Sequence, residues 1–278
     1  MAPTLYRGTR PDRTRTDDRA RDWAEIQERM LVPLYASVLD RLGVGAGTRL
    51  LALNCGTGLA LLLASARGAA VTGYDTDRDR LRLAEARLGT LPSTSYMATP
   101  MPQAPPVRLR LGIPAAAELR GYDLVTALDP AAPADALRPA LAAVAEAARP
   151  GSAVVLAGWG PPERCATASV LRVAARLAEP RGATGPLPRL SGRDDLEELA
   201  AGAGLRPDGS GRVSCPFGYP DQAAAVRGLV ATGLFDAAVA ATDRQQVDKE
   251  IAEALHPYRR LDGTIRMDNV FRYLIARV

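Results

Sequence analysis

The sequence is poor in the residues that metal-dependent and covalent catalysis most often use. It has a single histidine, His256, a single lysine, Lys249, and three cysteines. One histidine cannot form a two-histidine zinc site or a histidine-rich iron site within the chain, so we expect no metal. Cys55, Cys165 and Cys215 are odd in number and far apart, which argues against a disulfide framework. Lys249 lies in a segment predicted to be an exposed helix, so Schiff-base chemistry is not expected.

Long apolar runs are also missing. No stretch of about 18 or more apolar residues indicates a membrane span, and the N-terminus lacks the apolar core of a secretory signal. We therefore expect a cytoplasmic protein with no membrane partner.

The positive charge is almost entirely arginine. The formal net charge is +4 and the isoelectric point is about 9.2, which raises the question of nucleic acid. The densest basic run, from Arg7 to Arg21, is interleaved with Asp12, Asp17 and Asp18, as in a solvated segment. We therefore predict a flexible leader over residues 1–20 and do not expect nucleic-acid binding.

What the sequence does contain is an alternation of strand and helix patterns. The strand candidates are mostly continuous apolar runs, typical of strands buried on both faces of a parallel sheet. The last, Asn269–Val278, is expected to pair in antiparallel fashion with Arg212–Pro216. The remaining strand candidates are Arg49–Asn54, Ala70–Asp75, Val107–Leu111, Tyr122–Leu128 and Ser152–Trp159.

Helical patterns separate most of these strands, at Gly58–Arg67, Asp77–Leu88 and Ala134–Ala148. The order predicts an α/β fold with a doubly wound, mostly parallel, seven-stranded sheet. Further helical segments favour a single domain over residues 21–278. Its helical cap over the site is expected from residues 21–42, 161–205 and 220–257. Leu91–Pro106 is predicted to be a loop or a broken helix, because it is rich in proline.

A glycine turn follows the first predicted strand, in the stretch "LLALNCGTGLAL". Gly56 and Gly58 allow close approach of a ligand to the backbone, and the next helix begins with unpaired amide donors. Asp75 ends the second predicted strand, where a carboxylate can accept both hydroxyls of a ribose. Because ligands of open α/β sheets bind at the carboxyl ends of the strands, the pair indicates a nucleoside-type pocket.

The order of these motifs resembles the class I S-adenosylmethionine-dependent methyltransferases, which have a Rossmann-like fold. "LLALNCGTG" is similar to the first motif of that family, "GYDLVTALD" to its fourth-strand segment and "AARPGSAVVLAGWG" to its fifth strand. The C-terminal "LDGTIRMDNVFRYLIAR" is similar to small-molecule methyltransferases of actinomycete-type natural-product pathways. The resemblance covers nearly the whole chain from about Trp23. It implies S-adenosylmethionine as cofactor and a small-molecule substrate.

The cofactor residues of the family map onto this sequence unevenly. The turn residues Cys55, Gly56, Thr57 and Gly58 match the family pattern, and Asp75 matches its ribose-binding acid. Three further positions depart from it. Ala52 stands in place of an acid, Asn54 in place of the first glycine of the turn, and Ile113 in place of an aspartate that binds the adenine amino group.

Three hypotheses follow. The leading one is methyl transfer to a natural-product intermediate, with Asp129 or His256 as the base where the acceptor needs one. Trp23, Gln27, Tyr35 and Trp159 would then contact the substrate. The second keeps the scaffold without the cofactor and assigns the cleft to a cyclisation or intramolecular displacement, with Asp129 as base and Asn54 orienting the substrate. In this second hypothesis the cyclisation can expel an anionic leaving group. The third is a degenerate subunit of such an enzyme, and both homo- and hetero-oligomers stay open.

Overall fold

A computed structural model of the protein describes residues 13–89, 106–178 and 192–278. Its main sheet has seven strands in the order β3-β2-β1-β4-β5-β9-β6, and β7 and β8 form a separate two-stranded sheet. The strands are β1 Arg49–Leu53, β2 Ala70–Asp75, β3 Val107–Leu111, β4 Leu124–Ala127, β5 Ala153–Trp159, β6 Arg206–Ser214, β7 Phe217–Tyr219, β8 Ile265–Met267 and β9 Val270–Arg277.

The first five strands run parallel, β9 is antiparallel to β5, and β6 is antiparallel to β9. The predicted seven-stranded, mostly parallel sheet is therefore confirmed, including the antiparallel partner of the last strand. That partner is longer than predicted, since it begins at Arg206 rather than Arg212. The small β7–β8 sheet was not predicted.

Helices cover both faces of the sheet, as a doubly wound fold requires. One face carries a hydrophobic core that includes residues of α2, α3 and α6, and the opposite face packs against α5 and α7. The helices are α1 Arg13–Asp22, α2 Val32–Arg41, α3 Leu59–Ala66, α4 Arg78–Gly89, α5 Ala134–Ala147, α6 Thr167–Ala178, α7 Asp195–Gly202, α8 Gln222–Ala231, α9 Asp236–Ala241 and α10 Arg244–Ala254.

The N-terminal helical segment differs from its sequence prediction. The pattern predicts one helix over Arg21–Leu42, but α1 is followed by a π-helical turn, Trp23–Gln27, and a 3₁₀ turn, Glu28–Leu31, before α2 begins. Pro33 lies in the first turn of α2, where it cannot donate an amide hydrogen bond to the preceding turn. The irregular turns bury three consecutive side chains, Ile26, Gln27 and Glu28, which a regular helix of period 3.6 would not place on one face.

Several predicted segments fall partly outside the described residues. These are residues 1–12 of the predicted leader, residues 91–105 of the proline-rich loop and residues 179–191 of the predicted cap. The rest of that leader belongs to α1, which begins at Arg13. The division of the chain into a leader and one capped domain stays a prediction. Within the described ranges, no helix is both long and apolar enough to span a bilayer.

Candidate active site

The carboxyl ends of β1, β2 and β4 open into a cavity of about 800 Å³. Its outer wall comes from α5 and from the segment between α8 and α9, so the predicted cap segment 220–257 borders it. Four of the predicted site residues line this cavity: Asn54, Asp75, Ile113 and Asp129. They meet there because parallel strands end at the same edge of the sheet.

The amides of the glycine turn are largely used by the protein itself. The Gly56 amide donates to Asp75 Oδ2 at 2.7 Å, and the Gly58 amide donates to the Cys55 carbonyl at 3.0 Å. Gly58 has a φ of +78°, and a Cβ there would lie 3.0 Å from the Ala84 Cβ of α4. The requirement for glycine at this position is therefore explained by the packing of α4 against the turn.

Asp75 lies at the end of β2, as predicted, but it is only 4% exposed. Its Oδ2 accepts the Gly56 amide, and its Oδ1 accepts the Asp77 amide at 2.8 Å. Burial raises the pKa of this carboxyl above its ordinary value, and the two amide hydrogen bonds oppose that shift. Each carboxylate oxygen keeps acceptor capacity for a ligand hydroxyl.

Two buried side chains of the N-terminal segment face the turn. A Cβ on Gly56 would lie 3.3 Å from Glu28 Oε1 and 3.5 Å from Trp23 Nε1. The Glu28 carboxylate accepts a hydrogen bond from the Thr57 hydroxyl and an ion-pair contact of 2.6 Å from Arg87 Nη1. Arg87 also donates to the Thr57 carbonyl at 2.8 Å. The N-terminal segment is thus bonded directly to the turn.

Arg80, in the first turn of α4, lies within the cavity. Its guanidinium stacks over the Trp23 ring at 4.8 Å from the centroid and contacts Asp129 Oδ2 at 3.3 Å. A longer contact of 3.7 Å joins it to Asp77. Asp129 Oδ1 accepts the Ala131 amide at 2.9 Å. Because β1 lies between β2 and β4, the side chain of Arg80 spans the cleft above the end of β1.

The remaining predicted site residues do not line this cavity. Gln27 is buried and accepts a hydrogen bond from the Tyr219 hydroxyl at 2.9 Å, so it joins the N-terminal segment to β7. Trp159 packs against Phe217 and Phe271 in an aromatic cluster. His256 is exposed in a 3₁₀ turn after α10.

Tyr35 is buried close to the cavity's charged groups. Burial raises its pKa well above the ordinary tyrosine value, and the carboxylates of Glu28 and Asp129 raise it further. The turn residues Cys55, Gly56 and Thr57 flank the cavity without lining it.

Sequence reasoning missed Arg80, Glu28 and Arg87. All three are charged residues in helical segments, where the apolar pattern alone assigns them to solvent. The one available signal is the position of Arg80, which lies five residues after Asp75 and therefore in the first turn of a helix that begins at the ligand edge.

The cleft can be tested against the S-adenosylmethionine that the family resemblance implies. The nucleoside end fits, because Asp75 is present at the cavity wall. The methionine end does not fit the side chains as they stand, since Trp23 and Glu28 face Gly56 and the Arg80 guanidinium spans the cleft. Ala52 supplies no carboxylate there. Among the described residues, no group of three potential ligands could hold a metal ion.

The architecture and the position of the cleft define a protein with the class I methyltransferase fold. Solved structures with this fold are similar over most of their length. They include a SAM-dependent methyltransferase from Thiobacillus denitrificans in complex with S-adenosyl-L-homocysteine, at 16% identity, a TM-score of 0.53 and coverage of 96% of this chain and 99% of that one.

Two further similar structures illustrate different chemistries on this scaffold. One is the cyclopropane synthase MmaA2 from Mycobacterium tuberculosis, at 14% identity, a TM-score of 0.53 and 94% coverage of each chain. The other is the [4+2]-cyclase SpnF, at 16% identity, a TM-score of 0.50 and coverage of 88% and 80%. At these identities the likeness establishes the fold alone. No protein-family model and no curated protein sequence matches the chain.

Proposed function

We propose that this chain is a methyltransferase-fold enzyme of natural-product biosynthesis that does not use S-adenosylmethionine. It would carry out a cyclisation or intramolecular displacement on a small molecule bound in the 800 Å³ cavity. The observation that carries this proposal is the packing of Trp23 and Glu28 against Gly56, where the methionine end of the cofactor would have to lie.

In this mechanism Asp129 is the base. Its carboxylate takes a proton from an amine or hydroxyl of the substrate, whose lone pair then forms the new ring bond while the leaving group departs with its bonding electrons. Arg80 and the Ala131 amide hold the carboxylate in place from opposite oxygens. Asn54, at the cavity wall, would orient the substrate, and the apolar side chains of α5 that line the cavity would limit competing water.

A specific observation also favours a second candidate, methyl transfer from S-adenosylmethionine. Asp75 lines the cavity at the position of the ribose-binding acid. When bound, the cofactor would supply the methyl group to a nucleophile of the substrate. In this case Asp75 would hold the ribose, Asp129 would accept a proton from the acceptor, and the side chains of Trp23 and Arg80 would have to rearrange.

Ligand binding separates the two candidates. We would denature the purified protein and search by mass spectrometry for co-purified S-adenosylmethionine or its demethylated product, and then titrate both by calorimetry. The proposal expects neither compound to bind even at millimolar concentration. Micromolar binding of either compound to the wild-type chain would overturn it in favour of methyl transfer.

The role of Asp129 has its own test. Asp129→Asn keeps the shape and one acceptor for the Ala131 amide but removes the base, so turnover in a reconstituted pathway should fall by about a hundredfold or more. Asp135→Asn, at the start of α5, is the matched control and should keep full turnover. Full activity of Asp129→Asn would remove Asp129 as the base.

A further inference from the structure

The guanidinium of Arg80 is enclosed by groups that normally bind a ligand cation. It lies against an aromatic face, Trp23, and between two carboxylates, Asp77 and Asp129. We infer that these three side chains form a binding site for an organic cation, and that the chain fills this site with its own arginine.

The geometry is that of an occupied site rather than of a surface ion pair. The side chains of Arg80 and Asp129 are only 14% and 11% exposed, and Trp23 is 3% exposed. A cation within about 6 Å of an indole centroid is attracted by the ring, and more strongly when both are shielded from water. At 4.8 Å the guanidinium satisfies this condition.

The surrounding charges favour a cation. Besides Asp77 and Asp129, the buried carboxyl of Asp75 lies close enough to interact with Arg80: burial raises the pKa of Asp75, and the positive charge of Arg80 is among the contributions that oppose this rise. Arg80 is the one basic side chain among the cavity-lining residues described by the structure, whereas four aspartates line the cavity. Without the guanidinium, Asp129, whose side chain is 11% exposed, would lose its ion-pair partner, and leaving a buried carboxylate unpaired is costly. Asp77, whose side chain is 39% exposed, would stay hydrated.

This inference rests on the proposed function and deepens it. If the Arg80 guanidinium occupies the cation site, the cavity needs no cationic cofactor there. The wild-type substrate then binds beside Arg80 and carries no positive charge at this position. The class of ligand that the emptied site would accept is a compact organic cation, such as a sulfonium, a guanidinium or an alkylammonium.

The experiment empties the site and measures charge preference. Arg80→Ala and Arg80→Met remove the guanidinium, and Arg78→Ala removes an exposed arginine from the same turn of α4 as the matched control. S-adenosylmethionine and S-adenosylhomocysteine are titrated into each protein by calorimetry. The two compounds differ by one methyl group and one positive charge, so the ratio of their dissociation constants reports on the charge.

We expect the Arg80 variants to bind S-adenosylmethionine about tenfold more tightly than S-adenosylhomocysteine. We also expect methylguanidine at millimolar concentration to raise the Tm of Arg80→Ala and to leave the wild type and Arg78→Ala unchanged. The methylguanidine measurement needs no nucleoside contact, so it tests the site even if the rest of the cofactor cannot enter.

The outcomes are distinguishable from those of the proposed function. Tight binding of S-adenosylmethionine to the wild type would overturn the proposed function, and the inference would still stand if removal of Arg80 raised the preference for the cation. Equal affinity for the two compounds in the Arg80 variants, or no methylguanidine effect on Tm, would overturn the inference. If Arg80→Ala does not fold, Arg80→Met provides the same comparison with more of the side-chain volume kept.

Discussion

The network of Glu28, Thr57 and Arg87 holds the N-terminal segment on the glycine turn, and its removal should be costly. Glu28→Ala deletes a carboxylate that is 3% exposed and leaves Arg87 without its 2.6 Å partner. Breaking a buried ion pair by removing one partner costs about 3–5 kcal/mol. Because Arg87 is still 22% exposed and can recover some hydration, we expect the lower end, about 3 kcal/mol.

Equilibrium urea denaturation followed by circular dichroism measures this loss. Glu25→Ala is the matched control, because Glu25 lies three residues earlier, in the preceding π-helical turn, but is exposed. It should change the free energy of unfolding by no more than about 0.5 kcal/mol. Glu28→Gln, which keeps the volume and one acceptor, should fall between the two. A loss for Glu28→Ala within 0.5 kcal/mol of that for Glu25→Ala would refute the argument.

A double-mutant cycle with Arg87→Met then assigns the loss to the pair. Residues in one hydrogen-bonded network couple by about 0.5–3 kcal/mol, whereas independent sites add within about 0.5 kcal/mol. Coupling near 2 kcal/mol is expected here, since Arg87 contacts both the Glu28 carboxylate and Thr57. Additive losses would mean that Glu28 stabilises the turn without the arginine.

Three further predictions follow from the same region. Gly58→Ala should cost at least about 2 kcal/mol in urea denaturation, because a Cβ would lie 3.0 Å from that of Ala84 and φ is +78°. The raised pKa of Asp75 means that the folded state binds the carboxyl proton more tightly than the unfolded state does. The free energy of unfolding should therefore fall as pH rises from the ordinary pKa of 3.8 through the folded-state pKa. Asp75→Asn should flatten that part of a stability–pH series, and an unchanged slope would contradict this. Burial raises the pKa of Cys215 to about 11 and that of Cys55 further, so neither thiol should react with a disulfide reagent at pH 8 until urea unfolds the chain; rapid native labelling would argue otherwise.

The sheet could be predicted from the sequence because its central strands are buried on both faces. The edge strand β3 has the predicted bounds although it alternates with arginine and is largely exposed. Among the buried strands, β2 has the predicted bounds and β5 differs by one residue at its start. A continuous apolar run between two turns has few alternatives at that length. Pro33, by contrast, signals a helix start without indicating how the preceding turns are wound, so the π and 3₁₀ turns before α2 could not be predicted.

The position of the site could be predicted from the sequence, but only some of the residues that line it could. The turn and Asp75 follow from topology, since strand ends share one edge of the sheet. Which charged residues close the cleft depends instead on the direction in which each side chain points, and the sequence does not specify that direction. In "TDRDRLRLAEARL" several arginines occur at similar spacing, and the sequence does not distinguish Arg80, which enters the cavity, from exposed Arg78.

The departures from the family motif and the side chains that close the cleft are consistent with each other, because both disfavour the methionine end of the cofactor. Ala52 is 5% exposed and belongs to a hydrophobic core, so an aspartate there would need amide donors from the turn. The Gly56 amide is already bonded to Asp75, and Glu28 supplies a carboxylate to the turn from outside. An acid at position 52 would therefore be buried and could not use the Gly56 amide. Replacing only Ala52 and Asn54 by the family residues, Ala52→Asp and Asn54→Gly, would leave Trp23 and Arg80 in the cleft. The closure therefore belongs to the N-terminal segment and α4 as much as to the turn.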